Sequence, residues 1–445
     1  MTGTSSQTNA PRSLLFSRKT SRISLIIGGQ GVFIFDNQES PLQCGFNVFN
    51  SDKSDGLNVV FTTSGLKVKQ ISNDDGFTDR KNTVGLVSTN GAYYWFSIDS
   101  QNQRLMAGIG EARIETAIYT YQFDTENSRS SGKTKDFLES LRSIELLPTG
   151  TVRPIRLLRD PVTQSVPLLV KDIHELTMDD IAGMNCMPKA NLSTMSQQLY
   201  NCIAGRSFTL ETADFPEFAA SIQHSIVTPG LWCYERLAAK AQEFTKEPNP
   251  DETYLRITLG QNNGESPGVP YVMEIWPAGH YSPIHNHGGA DAVIRVLHGG
   301  IRVSLFPYLS TDAVEPFGVY DFGLGDLTWI SPTLNQVHQL RNVGAEACIT
   351  IQCYMYETAD KRHYDYFDYI DGDGAKKQFE PDSDMDFVDF KALMKTEWAA
   401  ATASAAAAAV AAREIRQQNR PLVSAFPKDT AWWWWPYCSR WSCQS

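Results

Sequence analysis

The segment Gly279-His280-Tyr281-Ser282-Pro283-Ile284-His285-Asn286-His287 is answered far downstream by His338-Gln339-Leu340-Arg341-Asn342. No other feature of the chain constrains its fold as much. Side chains alternate along a β-strand, so His285 and His287 on one strand project to the same side. His338 can then complete a three-nitrogen face, which is the geometry of a metal site with open positions. A His-x-His pair alone is more often ordinary surface or core. The third histidine in register and the flanking glycines shift the balance to metal binding.

At 445 residues the chain exceeds the usual size of one core and predicts two or three domains. A net charge of −11 argues against the basic face that a phosphate backbone requires, so nucleic acid is not an expected partner. Eight cysteines are scattered without a CxxC pair, which predicts reduced thiols in an intracellular, cytoplasmic protein rather than a disulfide scaffold or a thiolate zinc site. No run reaches the roughly 18 apolar residues of a membrane span, so no membrane partner is expected. The N-terminus carries Arg12, Arg18, Lys19 and Arg22 among serines and threonines, with Asp36 the first acidic residue. That composition also fits an organelle transit peptide, although a disordered tail over 1–21 is the preferred reading.

Short β-type runs fill residues 22–124: Ile23-Ser24-Leu25-Ile26-Ile27, Leu57-Asn58-Val59-Val60-Phe61, Tyr93-Tyr94-Trp95-Phe96-Ser97-Ile98 and Ala117-Ile118-Tyr119-Thr120-Tyr121. Their alternation predicts a β-sandwich. Residues 125–190 read as a polar linker followed by a region of mixed signals. From Ser193 to Phe244 the periodicity is helical, and after Tyr254 strands return until about Tyr356. The expected fold class is therefore mainly β and multidomain, with a barrel domain over 191–372 preceded by helices. An acidic and alanine-rich tail follows over 373–445. Asp371-Gly372-Asp373-Gly374 lacks the carboxylate ladder of a calcium loop and reads as a solvated acidic face. Ala399 to Ala412 predicts a helix, and Trp432 to Trp435 fall in a Pro- and Ser-flanked end read as poorly ordered.

Tyr94-Trp95-Phe96-Ser97-Ile98 followed by Met106-Ala107-Gly108-Ile109-Gly110 resembles the farnesoic acid O-methyltransferase-like β-sandwich. That resemblance implies a module for docking a protein or ligand. Gly279, His285, His287 and Gly299, then Gly325, Pro332, His338 and Asn342, resemble the two cupin motifs, which implies a jelly-roll barrel. Most cupins add a glutamate ligand, and its place here is taken by Ala292, with Asp291 beside it. Three neutral imidazoles leave more open sites and more positive charge for an anionic, bidentate substrate.

Tyr254-Leu255-Arg256, Trp276, Gly279-His280, Ser282, Ile284-His285-Asn286-His287, and His338 with Asn342 narrow the resemblance to the cysteine dioxygenase family of thiol dioxygenases. Leu199-Tyr200 and Phe215-Pro216-Glu217-Phe218 extend it N-terminally. The resemblance implies Fe(II) held by His285, His287 and His338, with Arg256 binding a substrate carboxylate. Tyr254 and Trp276 would line the pocket, and Tyr354 would be the catalytic tyrosine. It further implies oxidation of L-cysteine with O2 to cysteine sulfinate, a step in cysteine catabolism. Two positions depart from the family. Ala292 stands where eukaryotic members carry a cysteine cross-linked to the tyrosine, and Gln352 replaces a pocket histidine. Cys353 would point to the opposite strand face, so no cross-link is expected. His280 is expected near the metal without ligating it, and His298 is expected to cap a turn. His174, His224 and His363 carry no functional expectation. Two rivals stay open: a dioxygenase of another small thiol such as 3-mercaptopropionate, and a noncatalytic metal-binding cupin sensor. Three imidazoles also suit zinc, nickel or copper.

Overall fold

The computed structural model describes residues 13–16, 21–37, 43–71, 77–81, 85–87, 90–126, 128–147, 152–260, 266, 268–356 and 367–418. His363 and Trp432 to Trp435 lie outside the described residues, as do Arg12, Arg18 and Lys19. The chain forms two compact units, divided between Lys395 and Thr396.

Within the first unit, residues up to Leu158 build a β-sandwich of two six-stranded sheets. One sheet orders Ser13–Leu15, Val152–Leu158, Gln30–Asn37, Tyr93–Asp99, Arg104–Ile109 and Ala117–Gln122. The other orders Arg22–Ser24, Leu141–Leu146, Gln43–Asn50, Gly56–Thr62, Gly65–Gln70 and Thr78–Lys81. The period-2 pattern explains the layering: in Gly56–Thr62, Leu57, Val59 and Phe61 are fully buried while Asn58 and Val60 alternate outward. Aromatic rings from both sheets meet in the core, with Phe46 edge-on to Phe33 at 5.1 Å and to Phe35 at 5.4 Å.

The expected boundaries differ from this architecture at both ends. Ser13 pairs with Leu158, so the N-terminal segment read as a tail supplies an edge strand. The segment read as a linker forms the helix Ser128–Ser140 and two further sandwich strands. The helix carries Leu138 into the core, where it is fully buried. Pro154 disguised the second strand, because proline breaks the local pattern yet is tolerated beside a register shift such as that between Pro154 and Arg156.

The second half of the first unit is a cupin-type barrel of two facing sheets. The larger orders Met187–Pro188, Leu169–Lys171, Leu327–Ile330, Asp291–His298, Cys348–Met355, Tyr271–Trp276, Leu255–Thr258 and Met385–Asp386. The smaller orders Gly318–Gly323, Gly300–Leu305, His338–Arg341, Ile284–His285, Phe367–Ile370 and Lys376–Phe379. Trp276, Val296, Ile301, Leu305 and Cys348 pack between them. Three helices lie in sequence between Met187–Pro188 and Leu255–Thr258: Thr194–Ile203, Phe218–Val227 and Trp232–Lys240. Ser193 caps the first of them by accepting the Ser196 N–H at 3.0 Å.

The barrel extends past both ends of 191–372. Asp371 is buried, accepts the Ala375 and Asp373 N–H groups at 2.7 and 3.0 Å, and pairs with Lys377. It thus organises a hairpin turn rather than a solvated face. Asp384 accepts the Arg256 N–H at 2.7 Å, while its own N–H donates to the Arg256 carbonyl. Acidic residues read as a tail therefore close the barrel edge. The second unit begins at Thr396, and its described part, to Gln418, is the helical alanine-rich stretch that alanine propensity dictates.

Candidate metal centre

His285 ends the two-residue strand Ile284–His285, and His338 begins His338–Arg341; the two are register partners. His287 lies beyond its strand, so simple alternation does not place it. The turn that follows does, because Gly288 and Gly289 take φ of 60° and 81° and let the backbone leave sharply. The three residues offer ligand atoms that lie within 4.8 Å of one another, and all three are buried.

Hydrogen bonds set the orientation of the rings. His285 and His338 each present Nδ1 to a carbonyl, of Pro283 at 3.0 Å and of Asn335 at 3.1 Å. A carbonyl only accepts, so both Nδ1 atoms carry the proton and both Nε2 atoms expose lone pairs. Nε2 of His287 sits 3.2 Å from Nε2 of His338, and its Nδ1 is buried without a partner. Burial holds all three imidazoles neutral: His285 is pushed down to about 3, His338 down to about 4, and His287 well below the usual histidine range. Neighbouring histidine charge and Arg256 act in the same direction on His285 and His287. Converging neutral nitrogens with an orphaned buried atom fit a divalent cation. Asp291 does not join them. It accepts the Ser196 and Ser193 hydroxyls at 2.7 and 3.2 Å, which ties it to the first helix.

A second buried polar cluster adjoins the histidines. The Tyr354 ring stacks on His287 with centroids 5.6 Å apart, and its hydroxyl donates to Gln352 Oε1. Gln352 Nε2 donates to Glu274, whose other oxygen accepts Arg256 Nη1 at 2.6 Å. The Arg256 charge opposes the burial that raises the Tyr254 and Tyr354 phenols. Arg256 Nε has no partner. Burial is the largest influence and works against the Arg256 charge, but Glu274, Tyr354 and Tyr254 together outweigh it and raise the guanidinium pKa. Burial raises Glu274 and Tyr354 as well, with Arg256 opposing in both cases. Tyr254 stacks on Trp276 at 4.2 Å, and the Trp276 indole N–H has no partner.

Ala292 and Tyr354 face each other across paired strands. Cys353 points the other way, with its Sγ directed at the Leu199 carbonyl at 3.4 Å. His280 bonds Thr253 through Nδ1 and is not among the three converging histidines. His298 lies 3.8 Å from Glu346 rather than on a cap.

Sequence reasoning missed Glu274, although a lone carboxylate in the otherwise apolar Tyr271–Trp276 strand is a readable anomaly. It also missed Asn335, within the second motif, and Glu111 and Arg113, which meet the loop before His338 from outside the histidine motifs.

No family model matches the chain. Among solved structures, the Schizosaccharomyces pombe Cnp3 cupin domain matches at 15% identity with TM-score 0.19, covering 24% of this chain and 66% of its own. A double-stranded β-helix protein from Klebsiella pneumoniae matches at 18% identity with TM-score 0.19, covering 27% and 90%. Oxalate oxidase in complex with glycolate matches at 19% identity with TM-score 0.18, covering 24% and 52%. Overlap of this extent assigns neither a reaction nor a metal. Among the described residues no helix is long and apolar enough to cross a membrane. The protein is thus a β-sandwich joined to a cupin-type barrel that carries a three-histidine group able to hold a metal ion.

Proposed function

We propose that the protein is a non-haem Fe(II) thiol dioxygenase that oxidises L-cysteine with O2 to cysteine sulfinate. The observation that carries this reading is the link between the two clusters: Tyr354 stacks on a metal-ligand candidate, and its hydroxyl reaches Arg256 through Gln352 and Glu274. Ferrous iron held by His285, His287 and His338 would supply open coordination positions and the redox chemistry for O2. Both oxygen atoms end on sulfur, so no external reductant is needed.

The chain's own residues supply recognition and proton control. Arg256 stays charged and can meet a carboxylate with its fork of donors. Tyr254 and Trp276 form a stacked wall beside it. Tyr354, its phenol raised by burial, remains a donor at neutral pH. Gln352 orients that hydroxyl without titrating, since an amide does not ionise near neutral pH. Oxygen uptake by the Fe(II)-loaded protein tests the reading: consumption with L-cysteine and formation of the sulfinate support it. Uptake no greater than that of buffer would leave a metal-binding cupin without this activity.

A second reading, oxidation of a different small thiol, is favoured by one observation. Glu274 already neutralises Arg256, so the pocket carries no surplus positive charge with which to select an anion. Mass spectrometry of products from a panel of cysteine, cysteamine and 3-mercaptopropionate separates the two readings.

A further inference from the structure

The backbone that delivers the third histidine is gripped from outside the barrel. Asn335 takes the left-handed conformation, φ 63°, and its carbonyl accepts the Nδ1 proton of His338 at 3.1 Å. Its own N–H and that of Gln336 donate to the two carboxylate oxygens of Glu111, each at 2.8 Å. Arg113 Nη1 donates to Asn335 Oδ1 at 3.0 Å. Both Glu111 and Arg113 come from the sandwich, immediately after the strand Arg104–Ile109. Glu111, Arg113 and Asn335 are no more than 1% exposed.

Arg113 is itself fixed on every side. Its Nε donates to Glu115 at 2.8 Å, its Nη2 to the Val166 carbonyl at 2.9 Å, and its guanidinium lies 4.5 Å from the Phe317 ring centroid. The grip extends to the other histidines through Gln336. That side chain accepts the Gly289 N–H at 3.0 Å and donates to the Ala290 and Ser331 carbonyls at 3.0 and 2.7 Å. Gly289 and Ala290 form the turn that follows His287. One sandwich carboxylate therefore holds a loop that touches the backbone behind two of the three metal-ligand candidates.

We propose that Glu111 and Arg113 are positioning residues of the metal centre, so that the sandwich is part of the site and not an appended module. Buried backbone N–H groups need partners, and among the described residues those of Asn335 and Gln336 are met by this carboxylate. Without Glu111 the loop must rearrange to find other acceptors, and the Asn335 carbonyl that fixes the His338 ring moves with it. Residues that orient ligands in this way are worth roughly 10- to 100-fold in metal affinity. The inference rests on the three-histidine group binding metal and is independent of which reaction follows.

The test is titration of the metal-free full-length protein with Co(II), read by its d–d absorption and by chelator competition, with near-UV circular dichroism reporting the fold. Glu111→Gln sets an NH2 against one backbone N–H, and Arg113→Lys removes the fork to Asn335. Each is expected to weaken Co(II) by roughly 10- to 100-fold and to change the band pattern. Asp312→Ala breaks a different contact between sandwich and barrel, the Asn90 N–H to Asp312 at 2.9 Å, and is expected to match the wild type. Folded Glu111 and Arg113 variants with wild-type affinity and spectrum would overturn the proposal, as would an Asp312→Ala loss of equal size. Hydrogen exchange on the wild type tests the same link without substitution. Co(II) should slow exchange at 110–116 in the sandwich while leaving Gly65–Gln70 unchanged, and no change at 110–116 would overturn the clamp. A wild type that binds no Co(II) would sink the metal centre itself, which separates that failure from failure of the clamp.

Discussion

Arg256 and Glu274 are register partners on adjacent antiparallel strands, with Nη1 and Oε1 2.6 Å apart and both side chains almost fully buried. Neither charge would be tolerated alone at this depth. The pair therefore sets both the stability of this wall and its charge towards a ligand. Glu274→Gln removes the counter-charge and leaves Arg256 net positive. Loss of one partner of a buried pair costs about 3–5 kcal/mol, so the unfolding midpoint in denaturant should fall. Selection should move towards anions, with the ratio of KM for cysteamine to KM for 3-mercaptopropionate rising about tenfold or more. An unchanged ratio would place Arg256 away from the ligand.

Arg256→Ala separates recognition from metal binding. Charge-assisted hydrogen bonds contribute about 1.5–3 kcal/mol, so KM for cysteine should rise about tenfold or more while metal per chain stays constant. Oxygen-uptake kinetics and metal analysis of the same preparation check both halves. Metal loss in this variant would contradict the assignment of Arg256 to the substrate.

His338→Ala removes the metal-ligand candidate that bridges the barrel and the gripped loop. A ligand that binds only the folded state stabilises it by about 2.7 kcal/mol at a hundredfold excess over Kd. Wild-type thermal unfolding should therefore shift upward on metal addition, and the variant should show neither the shift nor stoichiometric metal. Retention of metal in the variant would mean that the third ligand is another group.

His338 was legible only through the resemblance to the second cupin motif, with Gly299 and Gly325 punctuating the strands between, while the His285–His287 pair was legible because its spacing is local. Strand alternation in Gly56–Thr62 and Tyr93–Asp99 was legible for the same reason. What stayed hidden depends on contacts between remote segments. Nothing local in Glu111-Ala112-Arg113 announces that a carboxylate will meet backbone N–H groups more than two hundred residues away. The edge strands Ser13–Leu15 and Met385–Asp386 are too short to show a period. Asp384 reads as tail acidity until Lys240 and Arg236 are seen to enclose it. The Arg256–Glu274 pair lies between: each residue is an anomaly in an apolar strand, but only the antiparallel register joins them.

The histidines also predict how the metal-free protein responds to acid. His338 is held down to about 4 and His285 down to about 3, with burial the main cause in each. An unfolded histidine takes up its proton near 6.5. Between these values the unfolded chain binds more protons than the folded one, so stability rises with pH across the window and falls as pH drops through it. Each unit of separation is worth about 1.4 kcal/mol, so His338 alone destabilises the metal-free fold by roughly 3 kcal/mol on going from neutral pH to pH 4. Urea unfolding of metal-free protein at pH 7.5, 6, 5 and 4 should show this decline. A cation bound to the folded state adds stability on top of this term while the unfolded histidines still take up protons, so metal-loaded protein should decline in parallel at a higher level until the ion is released. Replacing His338 with alanine removes its share of the acid sensitivity, and the slope of stability against pH between 4 and 6.5 should become shallower. A variant slope equal to that of the wild type would show that His338 does not titrate between folded and unfolded states as its burial requires.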